Sequence, residues 1–408
     1  MRPDIAVMNA EELVTLQADD GSLGIIENGA LVVKDGKVAW TGSTTEFRRK
    51  SFAKPRKLVD AKGKLVTPGF VDPHTHLVFA GSREDELERK IAGESYVSIL
   101  SGGGGINRTI EETRKASRAK LMAETRGRIG QLVRHGVTTA EVKTGYGQNL
   151  ASELKMLDVI RSLGKMGPIE LVPTFLGLHA KPPEFKNADK YVDYTINKML
   201  SEVAKRKPAF SDCFCEEGVF SREQCARYLR ASKALGLALK VHADEFVDSG
   251  GASLAAEMGC TSADHLGKSE RAGIEGMAKR GVAAVLLPGT SLYSAIGYAD
   301  AKMIAGAGCS IALGSDLSPN SWIESPQVVM MLACNAEKMT PADALRGVTV
   351  NAARALGRDD IGRLSVGAKA DFVVHDLPSY RFLPYRVGGE YVSAVFKEGR
   401  KIFSSQQD

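Results

Sequence analysis

The chain has 408 residues, with 54 lysines and arginines against 49 aspartates and glutamates, 43% hydrophobic and 25% charged residues. Its net charge of +5 is spread without a basic run, which argues against a nucleic-acid partner, and its composition is that of a globular protein rather than a disordered or fibrous one. No apolar stretch approaches the roughly 18 residues of a membrane span, so no membrane partner is expected. The opening MRPDIAVMNAEELVTL lacks a basic, apolar and small-residue leader, so the expected location is the cytoplasm. The 6 cysteines, including the lone Cys213-x-Cys215, are too sparse for a disulfide framework and are expected to be buried thiols.

In chain order, the first 65 residues read as short strands and turns. GALVVKDGKVAW (29–40) holds two alternating runs about Asp35-Gly36, a hairpin signal. The middle alternates strands and helices. Eight short apolar runs have strand character: 69–76, 137–143, 169–177, 212–216, 237–245, 260–266, 282–288 and 309–316. Helical patterns separate them, including one over 110–136 and one over 221–236 that opens with Ser221 and Glu223 and closes with Gly236. The last stretch returns to strand texture in DFVVHDL (371–377) and EYVSAVFKEGRKIF (390–403), with Glu398-Gly399 as a turn. The reading is an α/β protein: a (β/α)8 TIM barrel over 66–355, with a small β-sandwich domain built from 1–65 and 356–408.

The histidines mark the site. Of 7 in the chain, four (His74, His76, His242 and His265) fall at or near the C-terminal ends of predicted strands, where barrel enzymes keep their chemistry. A fifth, His179, sits just after the third strand. His74 and His76, two apart at the end of strand one, share a face and form a ready pair of metal ligands. His242 ends strand five in VHADE and Asp316 ends strand eight in LGSD, so the four could hold one ion. Read singly, His242 could be a core histidine and Asp316 a helix cap.

The constellation resembles the amidohydrolase superfamily, which carries H-x-H on strand one, histidines on strands five and six and an aspartate on strand eight; His265 in SADHL supplies the strand-six position. Members with two metals bridge them by a strand-four lysine; DCFCE has none, and Lys240 is read as a packing residue, so one ion is expected, zinc or iron. DPHTHLVFAGSREDELERKIAGESY (72–96), GGGGI (102–106), VKTGYG, LGLHA, VHADE and SADHL together resemble the imidazolonepropionase family over the whole chain.

That resemblance implies hydrolytic opening of the cyclic amide 4-imidazolone-5-propanoate to N-formimidoyl-L-glutamate by a metal-activated water, in a homodimeric enzyme. It implies Glu245, His265 and Asp316 as catalytic residues, with Glu245 also touching the substrate. It implies Arg83 as the clamp on the propionate arm, with Tyr96, Tyr146 and His179 around the ring or pocket mouth. The family reads Asn-Pro-Gly-Ser/Thr after the strand-eight aspartate; here Leu317-Ser318-Pro319-Asn320-Ser321 stands instead. Ser318, Asn320 and Ser321 are therefore expected on the arm, Asn320 tolerating positive φ. GGGGI lacks the Lys-Ser/Thr of a phosphate loop and is read as a mobile loop over the pocket. Another superfamily hydrolase, such as a ring deaminase, would keep the metal set without the carboxylate clamp.

Overall fold

The computed structural model describes residues 2–17, 21–50, 52–94 and 103–405. Two eight-stranded sheets organise it. The terminal sheet takes β1 (Ile5–Val14), β2 (Ile25–Lys34), β3 (Lys37–Ser43), β4 (Lys57–Asp60) and β5 (Leu65–Pro68) from the N-terminal side. The barrel follows with β6 (Phe70–Asp72), β7 (Val137–Lys143), β8 (Glu170–Leu178), β9 (Phe210–Cys215), β10 (Ala238–Ala243), β11 (Ser262–His265), β12 (Ala283–Leu286) and β13 (Ile311–Leu313). The terminal sheet is completed by β14 (Phe372–His375), β15 (Val392–Lys397) and β16 (Arg400–Ser404). Both ends of the chain thus share one mixed sheet, in which β14 runs antiparallel to β5, Phe372 opposite Pro68.

The hairpins form as their turn residues dictate. Asp35 and Gly36 (φ 51° and 74°) join β2 to β3, and Glu398 and Gly399 (φ 47° and 72°) join β15 to β16. Left-handed backbone at both turn positions matches the twist of a two-residue hairpin. The terminal sheet encloses its own small core, with Phe372 stacked on Phe396 at 4.3 Å.

All eight predicted barrel strands are present, parallel and in sequential order. The ring closes where Thr75 bridges Leu317, with His76 N donating to Leu317 O (2.9 Å) and Asp316 N to His74 O (3.1 Å). Strand one is shorter than expected: it ends at Asp72, before Pro73, which has no N–H for the ladder. The helical pattern over 110–136 resolves into two helices, Gly105–Lys115 and Arg118–Arg134, because Ser117 caps the second by accepting from Lys120 N. The helix Arg222–Ala234 is capped by Ser221 as expected, but its reciprocal partner is Gln224 rather than Glu223. Within the glycine run, Gly102 lies outside the described residues, and Gly104 and Gly105 open a helix. Five cysteines are buried; Cys334 is only half-buried, against the expectation for all six.

Candidate active site

The C-terminal ends of the barrel strands surround a cavity of about 340 Å³. His74 and His76 flank the bridging Thr75, so an extended backbone turns both imidazoles to one side. Their Nε2 atoms lie 3.3 Å apart, and Asp316 Oδ1 is 3.5 Å from the first and 3.3 Å from the second. The ligand atoms of His74, His76 and His242 fall within 4.8 Å of one another, as do those of His74, His265 and Asp316. The expected four-residue set thus converges, and His265 stands beside it. His265 and Asp316 both adopt left-handed backbone (φ 78° and 49°), an uncommon state for side-chain-bearing residues that recurs at functional sites. The left-handed position expected at Asn320 is instead at Asp316.

The imidazoles are held by carboxylates from behind. His74 Nδ1 pairs with Asp264 Oδ2 (2.7 Å) and His242 Nδ1 with Asp212 (3.1 Å to Oδ2). An Nδ1–H donated to a carboxylate leaves the Nε2 lone pair toward the cavity, the arrangement of a metal-ligating histidine. His242 Nε2 is buried with no hydrogen-bond partner, an orphan a cation would satisfy. Burial pushes His242 down to about 4. His179 and His265 are held well below their ordinary values, by burial first and by neighbouring histidines next. Against burial, which would raise it, hydrogen bonds from His74 and His76 hold the Asp316 carboxyl well below its usual range. His76, His242 and the Asp316 carboxyl are shifted toward the donor forms that metal binding requires, whereas against its burial Asp264 and Asp316 raise His74, which would give up a proton to an ion.

Beneath this layer lies a charge cluster that the sequence reading missed. Lys143 Nζ contacts Asp212 (2.7 Å), Glu141 (2.9 Å) and Asp264 (3.4 Å), all fully buried. Burial opposes the Lys143 charge, but Asp212, Glu141 and Asp264 outweigh it and raise its pKa. Lys240, read as a packing residue, donates to Pro73 O (2.9 Å) and pairs with Glu141 (3.3 Å), which makes it an ionic tie beneath the histidines. The only linear signal was placement: Lys143 ends its strand, and Asp264 directly precedes His265.

Loops carrying the other candidates are each held by a buried carboxylate. Glu216 accepts from the backbone N–H of Glu245 (2.8 Å), Phe246 (3.2 Å) and Val247 (2.9 Å), fixing Glu245 on the cavity wall. Burial first, then Asp316 and Glu216, push the Glu245 carboxyl well above the usual carboxylate range; its Oε2 lies 3.7 Å from His265 Nε2. Glu153 accepts from Gly145, Gly147 and Gln148 N, shaping the loop of Tyr146. Tyr146 packs against His76 and His179, which stack at 5.1 Å.

Arg83 is buried and lines the cavity, in place of the exposed ion pair that SREDELERK could also have meant. Glu86 holds it by Nε (3.0 Å) and Nη2 (2.9 Å), while Glu86 Oε1 accepts from Gly105 N. Asn320 joins Arg83 (3.5 Å) to Ser294 (3.3 Å) and lines the cavity, as does Ser318. Ser321 is buried off the lining, its N–H donating to Ser318 Oγ. Tyr96 lies outside the described residues. Thr290, which donates to Asp316 Oδ2 (2.6 Å), and Phe214 are cavity residues that no motif had singled out.

Comparison with known proteins then decides the family. Residues 65–402 match the model of the amidohydrolase family. An imidazolonepropionase of Geobacillus sp. (strain WCH70) is 44% identical, covering 99% of each chain, and one of Alkaliphilus metalliredigens is 43% identical over 98% of each. The chain belongs to the imidazolonepropionase branch of the amidohydrolase family. Solved structures of the family share the fold at greater distance. A zinc-bound adenosine deaminase from Xanthomonas campestris superposes with a TM-score of 0.74 at 19% identity, over 98% of this chain and 93% of that one. A 5-methylcytosine deaminase from Klebsiella pneumoniae gives 0.75 at 16% identity, over 99% and 98%. At such identity they speak for the barrel alone, and their deamination chemistry stays with them.

Proposed function

We propose that this chain hydrolyses the ring amide of 4-imidazolone-5-propanoate to N-formimidoyl-L-glutamate, as an imidazolonepropionase. The observation that carries the reading is Arg83, buried and braced by Glu86 on the wall of the same cavity as the histidine cluster. A guanidinium fixed there suits the carboxylate of the propionate arm.

His74, His76, His242 and Asp316 would hold one divalent ion, zinc or iron, for which the orphaned His242 Nε2 and the convergent donors are a fitting set. Bound there, such an ion supplies Lewis-acid polarisation of the amide and brings the pKa of water toward 7. The chain's own groups do the rest. Glu245, its carboxyl shifted toward neutrality, takes a proton from the attacking water and returns it to the ring nitrogen. The water oxygen bonds to the amide carbon, the C–N bond breaks, and the nitrogen leaves protonated. His265 hydrogen-bonds the oxygen on which charge develops. Tyr146 and His179 pack on the ring, Ser318, Asn320 and Ser321 shape the arm end, and Tyr96 is assigned to the substrate by family resemblance. A cytoplasmic homodimer completes the reading; six unpaired cysteines suit a reducing compartment.

The test is loss of the imidazolone ultraviolet chromophore with metal-analysed protein, in the parent and in Arg83→Met. The parent consumes the ring and a chelator stops it. Arg83→Met raises KM by about 10- to 100-fold, the worth of a charge-assisted hydrogen-bond pair. A ring that persists with metal bound, or a KM indifferent to Arg83→Met, would overturn the substrate assignment while leaving the metal site intact.

A further inference from the structure

The far end of β13 opens on a second cavity, of about 380 Å³, at the opposite face of the barrel from the histidines. It lies where the helix Ala301–Gly306 leads into β13 and the helices Pro341–Gly347 and Val350–Ala355 pack beneath it. Glu337 lines this cavity with its side chain 4% exposed. Its Oε2 is buried without a hydrogen bond, and among the described residues no ion pair engages the carboxyl. Two more acceptors of lining residues are buried and unpartnered, Ser310 Oγ and Asn351 Oδ1, although Asn351 Nδ2 is spent on Ile311 O (2.8 Å). Burying a carboxyl without a donor is costly, and three orphaned acceptors around one cavity call for a ligand rich in N–H.

The rim narrows the choice. Lys302, exposed and without a partner among the described residues, lines the cavity together with Lys338, Arg346 and Arg354. Arg346 Nη1 donates to Ser22 O (3.3 Å), Lys338 Nζ is turned onto Asn335 O, and besides Glu337 the acidic lining residue is Asp343, which accepts from Thr340 Oγ1. This excess of cations repels a metal ion or a polyamine. An anion alone would leave Glu337 unanswered. A molecule with an ammonium at one end and a carboxylate at the other answers both.

We propose that this cavity is a binding site for a free α-amino acid, its ammonium on Glu337, Ser310 and Asn351 and its carboxylate toward Lys302 and Arg346. The site is independent of the chemistry assigned to the upper cavity, so its failure would leave that assignment standing.

Isothermal titration of the metal-loaded chain tests it, with L-alanine and L-histidine as probes of two sizes and glycine betaine, which has no N–H, as the control. At least one amino acid binds saturably, and betaine binds at least about tenfold more weakly. Glu337→Gln weakens the amino acid by about tenfold or more while hydrolysis and metal content hold, and Lys302→Ala weakens it severalfold. Arg83→Met leaves this binding unchanged. Should Glu337→Gln fail to fold, Lys302→Ala, on an exposed side chain, carries the test alone. No saturable binding by either amino acid, betaine binding as tightly, or affinity indifferent to both Glu337→Gln and Lys302→Ala would each overturn the proposal.

Discussion

Two clusters of charge sit at opposite margins of the barrel and are finished differently. At the seam with the terminal sheet, Glu170 meets Arg358 (2.6 Å), Lys369 (2.8 Å) and Lys397 (3.4 Å), and Lys397 also pairs with Asp371 (2.7 Å). Each charge there has a partner. At the C-terminal rim the lower tier is also paired, through Lys143 and Lys240, but the upper tier ends in ring nitrogens without a partner: His242 Nε2, His76 Nδ1 and His179 Nδ1. At this rim His265 and Asp316 also hold left-handed backbone. A finished cluster ties two bodies together; an unfinished one, held rigid from below, waits for something to bind.

The contrast can be broken most severely at the rim. Glu245→Gln should lower kcat by about 10²- to 10⁴-fold with metal content unchanged, read by chromophore loss and metal analysis. A milder break goes through the lower tier. Asp212→Asn or Asp264→Asn should cost roughly 10- to 100-fold in metal affinity, measured by competition against a chelator, since a histidine then faces an amide that can donate as well as accept in place of the charged acceptor that fixes its tautomer. Glu216→Gln should keep the metal and lower kcat by about tenfold to a hundredfold, as the loop that presents Glu245 loosens.

The seam should answer in stability, not activity. Against its burial, Lys369, Arg358 and Lys397 hold Glu170 down to about 2, from an ordinary 4.5. The stabilisation is therefore complete above that ordinary value and lost as pH falls through the depressed one. Glu170→Gln should cost about 1–2 kcal/mol at neutral pH in denaturant titrations and flatten that acid limb, with kcat unmoved. The smallest effect lies in the hairpin turn beside the seam, where Gly36 O accepts from Ala370 N (2.9 Å). Gly36→Ala, at φ 74°, should cost about 1 kcal/mol by strain in the hairpin turn.

What could be read from the sequence follows the same division. His74, His76, His242 and Asp316 were visible because each sits at a strand end, a position that linear order and period two reveal. Arg83, Tyr146 and His179 were found only by family resemblance, since nothing local separates a buried arginine in SREDELERK from a surface ion pair. Asp212, Asp264, Lys143 and Glu141 escaped because their meaning depends on three strands meeting inside a closed ring, which no single window contains. The break at Ser117 escaped for a local reason: its flanks are both amphipathic helix, and one capping hydroxyl decides the boundary.

The composite sheet also sets a clock on synthesis. β5 emerges early, but β14, the strand that covers one of its edges, follows only after the whole barrel has been made. At ordinary translation rates of about 5–20 residues per second, a gap of about 300 residues leaves that edge bare for roughly 15–60 s. The nascent chain must keep an unpaired strand from sticking to its neighbours for all of that time. Pro68 at the end of β5, which offers no N–H to an intruding strand, is placed where such protection is needed.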